Sequence, residues 1–400
     1  MKEPFLLTEI EKAPDGSRVR DFLGVEPGAN VIRYHRSFPA YRETPLADLR
    51  NLAKETGVGR ILVKDESHRF GLNAFKVLGA SYAMGVYLGR LLGLSPDRIT
   101  CDRLRTPGAR EKLGRMTFVT ATDGNHGRGL AWTARELGHK AVIYMPQGSV
   151  AERLENIRAE GAEASIADMN YDGAVRLARR MGEERGWIVV QDTAWEGYEE
   201  IPRLIMQGYA TMACEAVRQM DGEIPTHVFL QAGVGSMAGA VAGYLSGHFG
   251  SDRPVVTVVE PNRAACIFKT AEARDGELHF VTGPMDTIMA GLACGEPNRI
   301  AWDVLRETAD FALSCPDWVA AKGMRTLGNP VGCDPRVISG ESGAVTAGLV
   351  AALMTRADLG WMREKLRLDA ESKVLCFSTE GDTDRAHYRR IVRDGLHQSP

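Results

Sequence analysis

The stretch MTFVTATDGNHGRGLAWTARELGHKAVIYMP (116–146) decides the fold. Two short runs of β-branched and aliphatic residues, 116–121 and 140–146, enclose a segment with helical periodicity over 126–138. A strand, a helix and a strand in that order predict two parallel strands joined by a crossover helix. Between the first strand and the helix lies TDGNHGRG (122–129), a turn rich in glycine and polar side chains.

The same alternation continues along the rest of the chain. Further candidate strands are 60–65, 163–168, 187–192, 227–232, 255–260 and 373–378, and further candidate helices are 150–160, 171–185 and 201–220. Nearly continuous apolar strands separated by helices predict an α/β fold with parallel-rich sheets covered by helices on both faces. Ligands of such sheets bind beyond the carboxyl ends of the strands. The segments that directly follow strands are therefore the candidates for a functional site.

The composition is that of a globular chain large enough for two lobes. Its 400 residues exceed the size at which one hydrophobic core keeps growing. Lys and Arg number 49 against 52 Asp and Glu, and a net charge of −3 argues against nucleic acid or a membrane surface as a partner. Seven cysteines form no CxxC pair, so a reducing cytoplasm is expected. The nine histidines lack paired ligand spacing, so no metal site is predicted.

One segment raises the question of a membrane span. Residues 228–250 contain no Asp, Glu, Lys or Arg and are long enough to cross a bilayer. Six glycines together with Gln231 and His248 make a poor lipid-facing surface. The segment is therefore interpreted as a buried strand, a glycine loop and a helix.

Lys76 lies in NAFKVLGA (73–80), after the strand at 60–65 and at the start of a helix with small and apolar neighbours. A lysine in such a place is either a surface residue that extends its charged end into water or an amine in a partly dry pocket. In a dry pocket desolvation lowers the pKa of the ammonium, and the amine can form a Schiff base with an aldehyde cofactor. The residues around Lys76 leave both interpretations open.

Three other strands end in polar or glycine-rich segments. The turn at 122–129 fits an anion-binding turn at a helix N-terminus better than an ordinary capping loop. GVGSMAG (233–239) has N–H groups that suit a phosphate, although close packing of a helix on a strand explains such a loop about equally well. Ser378 ends the last strand before TEGDTD (379–384), and its hydroxyl either caps a turn or hydrogen-bonds a ring nitrogen.

The order of these elements is similar to that of the tryptophan-synthase-like (fold type II) family of pyridoxal phosphate enzymes. Within that family the wording of the motifs resembles the diaminopropionate ammonia-lyases, over roughly residues 30 to 390. The resemblance is carried by KDESHRFGLNAFK (64–76), TDGNHGRG (122–129), VIYMPQGS (142–149), DMNYD (168–172), QDTAWEGY (191–198), IMQGYA (205–210), LQAGVGSMAG (230–239), IMAGLACGEPN (288–298), ISGESGAV (338–345) and STEGDTD (378–384). It implies a homodimer with a large cofactor-binding domain over 1–85 and 196–400 and a small mobile domain over 86–195.

The resemblance also implies pyridoxal 5'-phosphate as the cofactor, carried by Lys76 as a Schiff base. Asn125 would contact the phenolic oxygen of the cofactor, and Ser378 would face its pyridine nitrogen. The cofactor phosphate would be bound by Gly233, Val234, Gly235, Ser236 and Met237. The carboxylate of an amino-acid substrate would be held by Thr122, Asp123, Gly124 and His126.

The implied reaction is the α,β-elimination of 2,3-diaminopropionate, through aminoacrylate, to pyruvate and ammonia. Lys76 would be the base for the α-proton on one face of the cofactor, and Asp123 would be the base for the opposite enantiomer. Asp192 would be a second carboxylate near the extra amine of the substrate, unless it only caps the following helix. A neutral amine leaves poorly unless it is protonated. Lys76, Asp123 and Asp192 all remain candidates for that acid.

Two other functions remain open at this stage. A serine or threonine dehydratase or a β-replacement enzyme would keep the cofactor and change the reaction. Asp123 argues against it, because a carboxylate beside the substrate carboxylate repels simple amino acids unless it transfers a proton. A non-catalytic metabolite-binding protein on the same fold would not need Lys76, Asn125, Ser378 and the glycine loop together. The sequence also leaves open whether Cys266 and Cys294 pair, although free thiols are expected in the cytoplasm.

Overall fold

A computed structural model of the chain describes residues 4–13, 22–122 and 124–399. These residues form two compact units. The larger unit comprises the described residues up to Val25, Glu43–His68 and those from Met212 onward, and the smaller unit comprises Glu26–Arg42 and Arg69–Thr211. Each unit is built on its own sheet.

Eleven strands lie within the described residues. They are β1 (Leu6–Glu9), β2 (Leu46–Asp48), β3 (Arg60–Asp65), β4 (Thr117–Ala121), β5 (Lys140–Met145), β6 (Glu163–Ile166), β7 (Ile188–Val189), β8 (His227–Gln231), β9 (Val255–Pro261), β10 (Phe311–Cys315) and β11 (Lys373–Ser378). Each of the eight candidate strands of the sequence has a counterpart here. The sequence analysis did not find β1, β2 and β10.

Sixteen α-helices lie within the same described residues. They are α1 (Val25–Arg36), α2 (Arg50–Thr56), α3 (Val77–Leu91), α4 (Cys101–Leu104), α5 (Pro107–Leu113), α6 (Asn125–Leu137), α7 (Ala151–Ala159), α8 (Tyr171–Arg185), α9 (Glu200–Gln219), α10 (Ser236–Phe249), α11 (Cys266–Ala273), α12 (Arg299–Thr308), α13 (Trp318–Gly328), α14 (Glu341–Thr355), α15 (Gly360–Leu366) and α16 (Arg385–Val392). Short 3-10 helices lie at Glu66–Gly71, Pro96–Arg98, Gly250–Asp252, Asn262–Ala264, Ala290–Leu292 and Ala357–Leu359.

The sheet of the larger unit has the strand order β1-β10-β9-β8-β11-β3-β2. Its interior strands are all parallel, and only the edge strands β1 and β2 pair antiparallel with their neighbours. Because β9, β8 and β11 are parallel neighbours, their carboxyl ends meet at one edge of the sheet. The segments after these three strands are therefore close together.

The sheet of the smaller unit has the order β6-β5-β4-β7 and is parallel throughout. Val119, Ala121 and Val142 of this sheet pack against Ala174 and Ala178 of α8. The caps of α8 set its length, since the Asn170 side chain accepts a hydrogen bond from the Gly173 N–H at 3.0 Å and the helix ends at the left-handed Gly186. The parallel α/β architecture predicted from the sequence is thus confirmed in both units.

The smaller unit extends beyond the 86–195 expected for the small domain. It also contains Glu26–Arg42 and the segments 69–85 and 196–211. The reason is packing around α1, where the Tyr34 hydroxyl donates to the Ser81 carbonyl oxygen at 2.8 Å. The adjacent His35 lies with its Nδ1 2.7 Å from the Thr211 hydroxyl. These contacts join α1 to α3 and α9, and local sequence patterns carry no sign of them.

The apolar segment at 228–250 forms β8, a loop and α10. Residues 236–245 of α10 are buried along the whole run. Its lack of charge therefore reflects burial in the larger unit. Among the described residues, no helix is both long enough and apolar enough to cross a membrane.

Candidate active site

In the smaller unit, the strands β4 and β7 are parallel neighbours and end at the same edge. The turn that begins with Thr122 follows β4, and Gln191 and Asp192 follow β7. Lys76 is the N-cap residue of α3. The structure therefore gathers three of the sequence-predicted segments within one unit.

Lys76 and Asp192 form an ion pair. The Lys76 Nζ lies 2.9 Å from the Asp192 Oδ2, and the two side chains are 24% and 13% exposed. Lys76 is thus an amine in a partly dry environment, as one of the two sequence interpretations proposed, and not a surface residue that extends into water. Asp192 contacts Lys76 directly and caps no helix that the structure describes near it.

The ion pair governs the charge of Asp192. Burial by itself would raise the pKa of the Asp192 carboxyl, but the Lys76 ammonium holds that pKa well below its usual range. Asp192 is therefore ionised at neutral pH. In this state it is suited to hold a cation and poorly suited to give up a proton.

Gln191 fixes the position from which Asp192 leaves the sheet. Its side-chain carbonyl accepts hydrogen bonds from the Thr120 hydroxyl at 2.8 Å and from the Ala121 N–H at 3.0 Å. Its amide nitrogen donates to the Ala121 carbonyl at 3.1 Å and to the Tyr171 hydroxyl at 2.9 Å. The side chain thus replaces a backbone peptide in the pairing with β4. The backbone that follows the short strand β7 therefore does not need to pair with β4, and Asp192 can turn toward Lys76.

The turn after β4 has its own internal bonds. The Thr122 hydroxyl accepts a hydrogen bond from the Gly124 N–H at 3.0 Å, and Asn125 is the first residue of α6. His126 is buried, and its Nε2 lies 2.8 Å from the Val190 carbonyl oxygen. Asp123, the predicted second base, lies outside the described residues.

Two glycines near the start of α6 are required by packing. A Cβ on Gly127 would lie 2.3 Å from the Thr122 Cγ2, and a Cβ on Gly129 would lie 2.6 Å from the Val77 Cα. Any side chain at Gly129 would therefore push α6 away from the start of α3, where Lys76 lies. These glycines place the helix that carries Lys76, in addition to any role in an anion-binding turn.

In the larger unit, the loop between β8 and α10 has the features of a phosphate cradle. Gly235 has a φ of 93°, a conformation that L side chains rarely adopt. A Cβ on Gly233 would lie only 3.0 Å from the Cys294 Sγ. Among the described residues, none accepts a hydrogen bond from the N–H groups of residues 233–237. A loop with free N–H groups at the N-terminus of a helix fits a phosphate.

Ser378 ends β11, the neighbour of β8, and is fully buried. Its hydroxyl donates to the Ser339 Oγ at 2.8 Å. A hydroxyl can rotate and can both donate and accept, so it suits a ring nitrogen that carries no proton. Each unit by itself thus carries groups that suit pyridoxal phosphate. The larger unit has N–H groups that fit a phosphate and a buried hydroxyl that fits a ring nitrogen, and the smaller unit has an amine that fits an aldehyde.

Glu260 at the end of β9 was not identified from the sequence, yet it supports the glycine loop. Its two carboxyl oxygens accept hydrogen bonds from the Ile267 and Phe268 N–H groups at 2.8 and 2.7 Å. The Ile267 side chain would contact a Cβ placed on Gly235 at 3.2 Å. Glu260 therefore anchors the start of α11, which packs against the loop.

We expect the stability of the fold to depend on pH through Glu260. Burial raises the pKa of this carboxyl to about 8, although the two N–H donors favour its ionised form. The folded chain then keeps a proton that the unfolded chain loses near its ordinary pKa of about 4.3. The stabilisation is full below that value and declines as the pH rises to about 8. Urea unfolding at about pH 5, 6.5 and 8 should show a steeper decline for the wild-type chain than for Glu260→Gln. Equal declines would assign the pH dependence to other groups.

No disulfide joins Cys266 and Cys294 in the structure. The Cys266 thiol donates to the Gly233 carbonyl oxygen at 3.6 Å. Burial raises the pKa of Cys266 further above its ordinary value. The thiol therefore acts as a packing group beside the glycine loop.

Comparison with known proteins agrees with this geometry. Residues 37–369 match the family model "Pyridoxal-phosphate dependent enzyme". The chain is 51% identical over 372 residues to a diaminopropionate ammonia-lyase of Salmonella typhimurium, covering 92% of each chain. It is 47% identical to the crystal structure of diaminopropionate ammonia lyase from Escherichia coli in complex with an aminoacrylate-PLP azomethine reaction intermediate, with a TM-score of 0.90 and coverage of 99% and 98%.

A second crystal structure of the Escherichia coli enzyme, in complex with D-serine, is also 47% identical, with a TM-score of 0.90 and 98% coverage of both chains. These matches span nearly the whole chain, including both units. The amine, the phosphate cradle and the buried hydroxyl thus occur in a chain whose relatives bind pyridoxal phosphate. This chain belongs to the family of pyridoxal-phosphate dependent enzymes, and within it to the diaminopropionate ammonia-lyases.

Proposed function

We propose that the chain catalyses the α,β-elimination of 2,3-diaminopropionate, in both its D and L forms. One substrate molecule and one water would give one pyruvate and two ammonia. The observation that carries the proposal is the Lys76–Asp192 ion pair, since it shows that a primary ammonium fits against Asp192. The substrate differs from a simple amino acid by one additional primary amine. Relatives that carry the name diaminopropionate ammonia-lyase support the same reaction.

Pyridoxal phosphate, when bound, supplies an electron-withdrawing ring that accepts the electron pair released at the substrate α-carbon. Lys76 would hold the cofactor in the smaller unit, with Asn125 close to its phenolic oxygen. In the larger unit, Ser378 would hydrogen-bond the ring nitrogen of the cofactor, and the glycine loop would bind the cofactor phosphate. The loop residues are Gly233, Val234, Gly235, Ser236 and Met237.

The substrate carboxylate would be held by Thr122 and Gly124. Asp123 would act on the α-proton of the substrate. Lys76 as a free amine would take the α-proton of one enantiomer, and Asp123 that of the other. Asp192 would hold the side-chain ammonium as an ionised carboxylate, with that ammonium in the place of the Lys76 ammonium that lowers the pKa of Asp192 in the structure. Bound as an ammonium, the β-amine already carries the proton with which it leaves as ammonia, so no separate acid would be needed, and Lys76 and Asp123 would serve as bases.

The second candidate is elimination from serine or threonine. One observation favours it, namely that the Escherichia coli relative has been solved in complex with D-serine. The two candidates differ in charge, because only diaminopropionate brings a cation to Asp192. A non-catalytic metabolite-binding protein would lack the absorption band of a lysine-bound cofactor, and this band is simple to measure.

A direct comparison tests the proposal. Release of pyruvate and ammonia should be measured with D- and L-diaminopropionate, serine and threonine side by side, at equal concentrations. We expect both enantiomers of diaminopropionate to exceed serine and threonine in kcat/KM. Higher kcat/KM for serine or threonine would make the chain a dehydratase.

Ser378→Asp should alter the reaction more than it alters cofactor retention. An aspartate at this buried position would hold a proton on the ring nitrogen and strengthen the electron sink, so side reactions such as racemisation compete with elimination. We expect the rate of pyruvate release to fall at least about tenfold. The absorbance of the cofactor should show that the variant still binds it. Ser378→Ala is the matched control without a carboxylate. An aspartate variant with the parent rate would show that Ser378 does not serve the ring nitrogen.

We also propose a homodimeric enzyme in the cytoplasm, with a smaller domain that moves during turnover. The odd number of cysteines and the lack of a CxxC pair support a reducing compartment. Elution volume with light scattering tests the dimer. Hydrogen exchange of the segment 86–195 with and without substrate tests the motion.

A further inference from the structure

His126 has one nitrogen whose role the proposed reaction leaves unexplained. Its side chain is 1% exposed, and its Nε2 lies 2.8 Å from the Val190 carbonyl oxygen. A carbonyl oxygen only accepts hydrogen bonds, so Nε2 must carry the proton. In a neutral imidazole the other nitrogen, Nδ1, is then an acceptor.

That acceptor faces the ion pair. The His126 Nδ1 is buried and has no hydrogen-bond partner among the described residues. It lies 3.9 Å from the Asp192 Oδ2, which is too long for a hydrogen bond. Two electron-rich atoms thus face each other at a distance that one donor group can bridge, since a nitrogen at about 2.8 Å from both fits this spacing. A buried acceptor left unpaired costs about 1–3 kcal/mol.

The neighbouring lysine shows which group suits the pair. The same Asp192 Oδ2 lies 2.9 Å from the Lys76 ammonium. Under the proposed function Lys76 either holds the cofactor or is a neutral amine until it takes the α-proton. Asp192 then lacks the Lys76 ammonium and needs another cation. The side-chain ammonium of 2,3-diaminopropionate has the same charge and the same three N–H donors. The hydroxyl of serine has one donor and no charge.

We propose that the His126 Nδ1 and the Asp192 Oδ2 together bind the side-chain ammonium of the substrate. His126 is then a specificity-determining residue that selects β-ammonium substrates over β-hydroxy amino acids. This inference rests on the proposed function and deepens it. It differs from the sequence expectation, in which His126 held the substrate carboxylate.

Two variants of His126 separate its nitrogens. His126→Gln keeps a donor near the position of Nε2 and removes the acceptor at Nδ1, whereas His126→Asn keeps an acceptor near Nδ1 and loses the bond to Val190. We expect His126→Gln to raise KM for diaminopropionate with little change in kcat. Its preference for diaminopropionate over serine in kcat/KM should fall at least about tenfold, or about 1.4 kcal/mol. His126→Asn should retain more of that preference than His126→Gln.

Two further measurements do not depend on turnover. Titration with pyridoxal phosphate should give equal cofactor affinity for the wild type and both variants. Nitrogen NMR of the wild-type, cofactor-free chain should show His126 protonated on Nε2 and unprotonated on Nδ1. A proton on Nδ1 would overturn the inference even if neither variant folds.

The kinetic outcomes also decide the matter. Equal losses of kcat/KM for diaminopropionate and serine in His126→Gln would assign His126 to folding. Unchanged kcat/KM values for both substrates would show that water alone lies between the His126 Nδ1 and the Asp192 Oδ2. Either result overturns the inference. The proposed function fails separately, if the wild-type enzyme itself releases no pyruvate from diaminopropionate. In that case the NMR result still tests the assignment of the two nitrogens.

Discussion

Lys76→Ala should reduce pyruvate release from both enantiomers of 2,3-diaminopropionate by at least about a thousandfold. The substitution removes the group proposed to hold the cofactor and a proposed base for the α-proton, so neither enantiomer retains a complete route. Its partner Asp192 is left as a carboxylate without its cation, although it is only 13% exposed. A steady-state assay of pyruvate release, at saturating cofactor, gives the measurement.

Chemical labelling identifies the lysine independently of rate. Borohydride reduction of the holoenzyme followed by peptide mapping should place the cofactor on Lys76. The buried Lys64 provides a natural comparison, because its ammonium is engaged by Glu215 at 2.7 Å and by the Thr44 carbonyl oxygen at 2.7 Å. Lys140→Ala, at an exposed position, is the matched control and should keep the parent rate. Label on Lys64 or Lys140 would contradict the assignment.

Asp123→Asn should slow elimination from one enantiomer by about a hundredfold or more and leave the other nearly unchanged. The enantiomers, bound by the same carboxylate turn, present their α-hydrogens to opposite faces of the cofactor. One base cannot reach both faces, so Lys76 is expected to take the α-proton of one enantiomer and Asp123 that of the other. The asparagine keeps the shape of the side chain and removes its basicity. Separate kcat values for D- and L-diaminopropionate give the result.

The substrate carboxylate beside Asp123 tends to raise the pKa of this base, because like charges oppose its ionisation. As the pH is lowered, the wild-type rate for the affected enantiomer should therefore begin to fall at a higher pH than it would with a base of ordinary carboxylate pKa. Asp252→Asn, an exposed aspartate of the larger unit, is the matched control. Equal losses for both enantiomers in Asp123→Asn would mean that Asp123 serves binding or folding.

Local patterns predicted the elements that carry the site. The strand at 60–65 was predicted with the bounds that the structure shows, and the helix at 171–185 likewise. Both depend on features that act over a few residues, namely a run of β-branched side chains, an Asn cap and a terminal glycine. The missed strands β1, β2 and β10 are short or lie at or near the edge of the sheet, where the apolar signal is weaker.

The positioning residues could not be predicted in the same way. In the sequence, Gln191 is only one residue of the motif at 191–198. Glu260 is only the last polar residue of the candidate strand at 255–260. Their roles depend on pairing with Ala121 and with the start of α11. A sharper signal was available for both, because a polar residue directly after a buried apolar run needs hydrogen-bond partners there.

The sequence by itself determined the α/β class, the family and the order of lysine, turn, glycine loop and serine along the chain. Tertiary structure alone decided which of these groups touch. Lys76 and Asp192 are 116 residues apart in the chain, yet their charged atoms are 2.9 Å apart. Hydrophobic periodicity reports which face of a local element is buried. An ion pair between distant segments depends on the packing of whole helices and strands, and the close approach of α6 and α3 at Gly129 is part of that packing.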